Sequence, residues 1–454
     1  MSVVRLKRWV PVAIAVLLVA AAVVFAVGKA SFHVTPTKPS GSSFSSWVPP
    51  FAATAPWNVP VKGLAVDVRS DMWRDRFWNY AIANLNPDHP EQDLNRGHHD
   101  ILFGLETATG GDPTRDFSIA VYNAIDATTT RRVRQRSGWN FPFNIAEGEQ
   151  IPWNPGWRSS TGSDSILLVV DPRNGRLWSL GGLVQAAPDG SYNDSQCLLR
   201  KLSVGYDRAT DLCAGGATTL RNPDGTVADY RTFAGNDPVA RGVGISDLAM
   251  LTFPEEVRTG AIRHALMMGT VNTMIGPPCD ASVGVDDPAF GDTCGRALAP
   301  AGSFERISDT GNCQGARAAS ALLRQRQESV PEGMRFSLDI TDTQIDTWLD
   351  QRGYTGAKRS TARTFAVALR DYGWFVTDTT CFGADFQVAS AANPATLSSW
   401  RSLGITGDGR DLLWGLMTRE RVRAYEPAVN DCVDGTSSRF ECHAVTTHYG
   451  DVPK

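Results

Sequence analysis

Several signatures of familiar chemistry are missing from this chain of 454 residues. None of its eight cysteines stand as a CxxC pair, which removes the usual zinc-ribbon spacing. There is no GxSxG turn for a serine nucleophile and no HExxH helix for a catalytic zinc. No glycine-rich loop stands between a strand and a helix in the way a dinucleotide site requires. An excess of base is lacking too. Setting aside the four basic residues of the first thirty, where there is no acid, leaves 40 Lys and Arg against 48 Asp and Glu, a net of −8. A nucleic-acid partner calls for a basic stripe. The best one available is Arg131, Arg132, Arg134 and Arg136, whose alternate spacing puts the last three on one strand face; it reads as a solvated strand edge. His98-His99-Asp100 resembles a ligand set, but neighbours in a strand point to opposite faces. We therefore expect no nucleic-acid partner, no metal and no cofactor.

What is present begins with an address. Arg5, Lys7 and Arg8 precede an almost unbroken apolar run from Val10 to Val27, the pattern of an export signal. Residues 1–30 are a signal peptide, cleaved after Ala30, or a retained membrane anchor; either way the bulk of the chain lies outside the cytoplasm and meets a membrane only through this segment. All eight cysteines follow the run, and an even count in an exported chain points to disulfides. Spacing favours Cys197 with Cys213 and Cys432 with Cys442. Residues 31–60, rich in Pro and Ser, read as an extended tether, with the folded part, 61–454, starting near Val61.

Helical spacing of Trp73, Phe77, Tyr80 and Ala81 predicts a helix over 70–85 with Ser70 as its N-cap. From about Asp116 to Phe253 short strands and tight turns dominate. Ile166–Val170 and Arg176–Leu180 flank Asn174-Gly175, a hairpin signal. Pro188-Asp189-Gly190 and Pro223-Asp224-Gly225 are further turns. Pro254–Thr259 is one helical turn stopped by Gly260, and Ile262–Asn272 a strand. Thr341–Gln344 is a capping box, Ser360–Tyr372 a helix ended by Gly373, and Trp374–Thr377 a strand. The expected fold is mainly β, an antiparallel β-sandwich with a few peripheral helices.

Candidate chemistry rests on three groups. Trp153 and Trp157, in the Pro-rich loop Ile151-Pro-Trp-Asn-Pro-Gly-Trp157, suit stacking on a pyranose face, and Trp178 extends that cluster. His264 shares a predicted strand face with Ile262, Leu266 and Met268 and is a candidate proton donor or acceptor at a cleft. Glycoside hydrolysis needs two carboxyl groups about 5–10 Å apart; Asp164 with Asp378 or Glu256 is the expected pair. Glu255 and Glu256 in the first turn of a helix are also explained by its dipole.

From about Ile151 to Ala392 the chain resembles a group of exported bacterial proteins common in actinobacteria. The stretches that carry the likeness are IPWNP, DSILLVVDPRNGRLW, PEEVRTGAIRHAL, PEGMRF and ALRDYGWFVTDT. The resemblance implies a jelly-roll-like fold of the kind that acts on or binds polysaccharides, and brings no established reaction. Many proteins of that pattern carry glutamate where this chain has Ser179. The expected function is polysaccharide hydrolysis by paired carboxylates. The alternatives are a lyase using His264 and a tyrosine, or a non-catalytic protein that binds a polysaccharide or cell-surface glycan.

Overall fold

The computed structural model describes residues 51–82, 105–106, 118–136, 143–162, 164–185, 192–199, 205–222, 224–233, 243–270, 272–274, 279–280, 282–284, 287–295, 297–301, 328–379, 384–407, 409, 411–427, 429–430 and 445–446. In chain order its strands are β1 (Leu105–Glu106), β2 (Ala120–Asn123), β3 (Thr129–Gln135), β4 (Gln150–Trp153), β5 (Leu167–Asp171), β6 (Arg176–Gly181), β7 (Asp211–Ala214), β8 (Gly216–Thr219), β9 (Leu266–Thr270), β10 (Arg335–Leu338), β11 (Trp374–Thr379), β12 (Asp385–Gln387) and β13 (Val422–Ala424), with a small ribbon of β14 (Val429–Asn430) and β15 (Val445–Thr446). The helices are α1 (Ser70–Arg76), α2 (Ser195–Leu199), α3 (Pro254–Thr259), α4 (Asp342–Gln351), α5 (Gly356–Asp371) and α6 (Pro394–Ser402).

Three sheets build the β-rich body: β1-β12-β9-β11-β10-β13, β2-β5-β6-β8 and β4-β3-β7. Alternation along each strand assigns its side chains to successive layers. Leu266 and Met268 of β9, Trp374 and Val376 of β11 and Phe336 of β10 share a core with Phe365 and Leu369 of α5, Ile345 and Leu349 of α4, and Trp73 of α1. The opposite face of the same strands, with Met267 and Phe375, shares a second core with Val121, Leu168, Val170 and Leu177 of the four-stranded sheet. The far side of that sheet, with Tyr122, Leu167, Val169, Trp178 and Leu180, shares a third with Val133, Ile151, Trp153 and Leu212 of the three-stranded sheet. A sheet buried on both faces needs unbroken apolar strands, which is why Leu167–Asp171 is buried at every position. Each such aliphatic side chain contributes about 1.5–3 kcal/mol by leaving water.

Four expectations change here. Pairing is mixed rather than antiparallel: β1–β12, β2–β5, β3–β7 and β9–β11 run parallel, and such pairs need crossover connections that an antiparallel jelly roll lacks. The folded part begins before Val61, because Phe51, Ala55, Trp57 and Val59 are buried. Proline stiffness lowers the entropy lost when this segment docks, and the buried Arg335 guanidinium donates to the carbonyls of Pro56 (3.2 Å) and Val59 (2.5 Å). Ser70 does not cap α1; Arg69 holds that place, and the Ser70 hydroxyl accepts from the Ala424 amide at 2.9 Å. A π turn over Phe77–Ala81 then shifts the helical phase, so Trp78 is buried while Tyr80 stays half-buried. Arg132 and Arg134 lie on β3, with Arg136 just past its end, and β3 is the middle strand of its sheet and not an edge. Arg132 and Arg134 both donate to Asp211, at 2.7 and 3.0 Å, and Arg136 donates to Gln196 at 3.0 Å.

Other local readings hold. β5 and β6 form the expected hairpin, Asp171 opposite Arg176, with Gly175 at φ +70°. Gly373 ends α5 at φ +71°, and a Cβ there would lie 1.9 Å from the Phe336 carbonyl oxygen, so only glycine fits. Disulfides join Cys197 to Cys213 and Cys279 to Cys294, which fits an oxidising, extracytoplasmic compartment. The proposed Cys432–Cys442 bridge, the export segment, His98-His99-Asp100 and the turn at 188–190 lie outside the described residues. No helix among the described residues is long and apolar enough to cross a membrane.

Candidate functional site

Pro254 opens α3, and Glu256 at its third position folds back so that one carboxylate oxygen accepts from the Phe253 amide at 3.0 Å. Gly260, at φ +81°, ends the helix and turns the chain toward β9. That return brings His264 under the helix, where Nε2 lies 3.0 Å from the other Glu256 oxygen and Nδ1 2.8 Å from the Ala265 carbonyl. The Ala265 carbonyl only accepts, and so does Glu256 as a carboxylate, an arrangement that favours the ring carrying both N–H groups. Burial disfavours that charge, and the Glu256 carboxylate, its hydrogen bond and the Ala265 carbonyl outweigh it; the His264 pKa stands above its ordinary value. The sequence placed His264 on a strand face with Ile262, Leu266 and Met268, but β9 begins only at Leu266. With both ring nitrogens engaged and 3% of the residue exposed, His264 ties helix to strand and does not reach a cleft. Glu256, 7% exposed, belongs to the same clamp.

The indoles chosen from the sequence are core residues as well. Trp153 and Trp157 are 6% and 5% exposed. Their rings meet edge-on with centroids 5.4 Å apart, and Trp157 stacks on Tyr122 at 4.9 Å. The Tyr122 hydroxyl donates to the Arg158 carbonyl at 2.8 Å and accepts from its amide at 3.0 Å, and burial pushes the phenol up to about 12. The loop is a plug on the three-stranded sheet, since two proline-fixed indoles gain more from burial than from water. Trp178, also buried, donates from Nε1 to Glu149 at 3.3 Å, and the Arg176 guanidinium lies over its ring at 4.8 Å.

Carboxylates are distributed differently from the expectation. Asp164 is half-buried at the open end of the β5–β6 hairpin, where its backbone carbonyl accepts from Gly182 at 2.6 Å. Asp378 lies on β11, in a different sheet. A bulge after Val376 brings Asp378, instead of Thr377, level with Gly269 of β9. On the other side of Gly269, Asp385 of β12 occupies the same cross-strand row. Cross-strand partners share a face, and by alternation from Met267 it is the face turned toward the four-stranded sheet. Both aspartates are half-buried, and Gly269 sends no side chain between them. Two strand spacings separate their Cα atoms by about 9.5 Å. Sequence reasoning missed Asp385, although its polar place in the alternation Asp385, Phe386, Gln387, Val388 was readable.

A second buried carboxylate, Asp247, accepts from the Ser179 hydroxyl at 2.8 Å. Asp171 closes the β5–β6 hairpin, and hydrogen bonds from the Arg173 guanidinium hold its carboxyl below the usual range. Among the described residues no group of three or more His, Cys, Asp or Glu side chains is arranged to hold a metal ion. No protein-family model, curated protein or solved structure matches the chain.

Proposed function

We propose that this is an exported carbohydrate-active protein that hydrolyses a polysaccharide with Asp378 and Asp385, built on a sheet-on-sheet sandwich and carried out of the cytoplasm by its N-terminal segment. The observation that carries the reading is the row Asp378, Gly269, Asp385. It supplies two carboxyl groups on one sheet face with no side chain of β9 between them. Inverting glycosidases hold their carboxyl groups about 6.5–9.5 Å apart, room for a sugar bond and a water. Two strand spacings, about 9.5 Å between the Cα atoms, support the wider, inverting arrangement. One aspartic acid then protonates the leaving oxygen while the other carboxylate takes a proton from the attacking water. Asp164, Glu256 and His264 have no part in this scheme.

The test is a reducing-end assay of the purified chain on a polysaccharide panel. Hydrolysis is expected with inverted product configuration by NMR, and Asp378→Asn and Asp385→Asn should each lower turnover about 100-fold or more. Full turnover in either variant would refute the assignment. A second reading, a glycan-binding protein without catalysis, is favoured by the exposed indole of Trp414; binding without reducing ends would establish it.

A further inference from the structure

Thirteen tryptophans occur in the chain. Among the described residues Trp57, Trp73, Trp78, Trp153, Trp157, Trp178, Trp348, Trp374 and Trp400 are buried, whereas Trp414 is 40% exposed. Its turn is firmly seated. Leu412, Leu413, Leu416 and Met417 enter the core around it, and the buried Trp348 indole donates to the Trp414 carbonyl at 2.8 Å. The ring is therefore presented by a fixed backbone.

The α4–α5 connection supplies its neighbours. The Arg352 guanidinium, at the C-terminal cap of α4, lies over the Trp414 ring at 5.2 Å and equally over Tyr354. Its Nε and Nη2 donate to the Tyr354 hydroxyl at 3.3 and 3.1 Å, and Nη2 also reaches the Asp411 carbonyl at 3.4 Å. The Tyr354 hydroxyl donates to that same carbonyl at 2.9 Å. A guanidinium carries five N–H groups, and those on Nη1 have no acceptor among the described residues. Arg352 has no carboxylate partner there either, since Asp411 pairs with Lys358 at 3.2 Å and Asp350 with Arg359 at 2.7 Å.

We propose that Trp414 and Arg352 form a binding subsite for an acidic sugar, the indole taking the C–H face of a pyranose and Arg352 Nη1 its carboxylate. The geometry fits because a planar cation lies over one face of a partly exposed indole and is held by Tyr354 before any ligand arrives. A carboxylate bonded to Nη1 stays close enough for its own ring to reach the indole. This rests on the glycan reading above but not on hydrolysis, since Trp414 and Arg352 lie on other elements than Asp378 and Asp385.

Calorimetric titration of the full chain with polygalacturonate, with its methyl ester and with polyaspartate tests it. Polygalacturonate should bind more tightly than the ester. Trp414→Ala should weaken that binding about tenfold, Trp414→Tyr should restore part of it, and Arg352→Gln should abolish the preference over the ester. Unfolding midpoints of the variants are measured alongside, since Arg352 is half-buried and donates to Tyr354 and Asp411, and the affinity changes should exceed any that the shifts in midpoint account for. Polygalacturonate affinity unchanged in Trp414→Ala overturns the proposal even where hydrolysis is seen. No binding of polygalacturonate, or tighter binding of polyaspartate, overturns it too. Trp414-dependent binding without reducing ends leaves it standing and removes only hydrolysis.

Discussion

The buried pair Glu256–His264 gives the fold a pH dependence whose sign follows from its geometry. Both ring nitrogens of His264 face acceptors, Glu256 at 3.0 Å and the Ala265 carbonyl at 2.8 Å, so the native state binds a proton there more tightly than the unfolded chain does. A folded pKa above the unfolded value makes the stabilisation complete below about pH 6.5 and lost as pH rises through the folded value. Between those two limits the unfolding free energy should fall by about 1.4 kcal/mol per pH unit.

The perturbations are His264→Gln and Glu256→Gln. His264→Gln leaves Glu256 buried without its cation, and breaking one side of such a pair costs about 3–5 kcal/mol. Glu256→Gln keeps the shape and removes the charge that holds the proton, so its loss should be smaller and its pH slope flat. Urea unfolding followed by tryptophan fluorescence from about pH 5.5 to 9, disulfides intact, measures both. The stability difference between the parent and His264→Gln should shrink as pH rises. A difference that stays constant, or grows, as pH rises would mean that the native state does not bind the proton more tightly than the unfolded chain, and the reasoning would fail.

Trp153→Ala and Trp157→Ala should each cost about 3–5 kcal/mol of stability in the same urea assay, while the folded fraction binds glycan as the parent does. Gly373→Ala should abolish soluble folded yield, because its Cβ would meet the Phe336 oxygen at 1.9 Å, whereas Gly225→Ala, with nothing within 4 Å, should cost only the left-handed backbone penalty of about 1–2 kcal/mol in the same assay. Replacing the Cys279–Cys294 pair by serines should lower stability by about 3 kcal/mol on the loop-entropy scale, read from the denaturation midpoint.

Local chemistry was legible in the sequence because each signal is local. Asn174-Gly175 specifies a left-handed residue, Thr341–Gln344 a capping box and Gly260 a helix stop, and all three form as read. The run Ile166–Val170 also carried more than strand identity. It lacks alternation because β5 has a sheet on either face, which is the sign of an interior strand. What could not be read is strand order. Parallel neighbours β9 and β11 are separated by more than a hundred residues of chain, and no spacing rule reports such a partnership. The antiparallel expectation failed for that reason. His264 was misplaced by a smaller error: extending β9 back to Ile262 gave it a strand face, whereas the chain is still turning there.

The same limit explains the exchange of candidate residues. An indole in a loop between Pro152 and Pro155 looks exposed when the loop is considered alone, and it becomes a plug once Tyr122 and the three-stranded sheet close over it. Trp414 gave no such signal, being set among Leu412, Leu413, Leu416 and Met417, a context that reads as core. Its neighbours do enter the core, and the turn they make leaves the indole outside. Carboxylates follow the same logic. Asp378 was visible as a strand-end acid and Asp385 as a polar place in an alternating strand, but only the register sets the two in one row across β9. Sites built across strands distant in sequence are therefore found by rows of the sheet, and Gly269 matters there for the side chain it lacks.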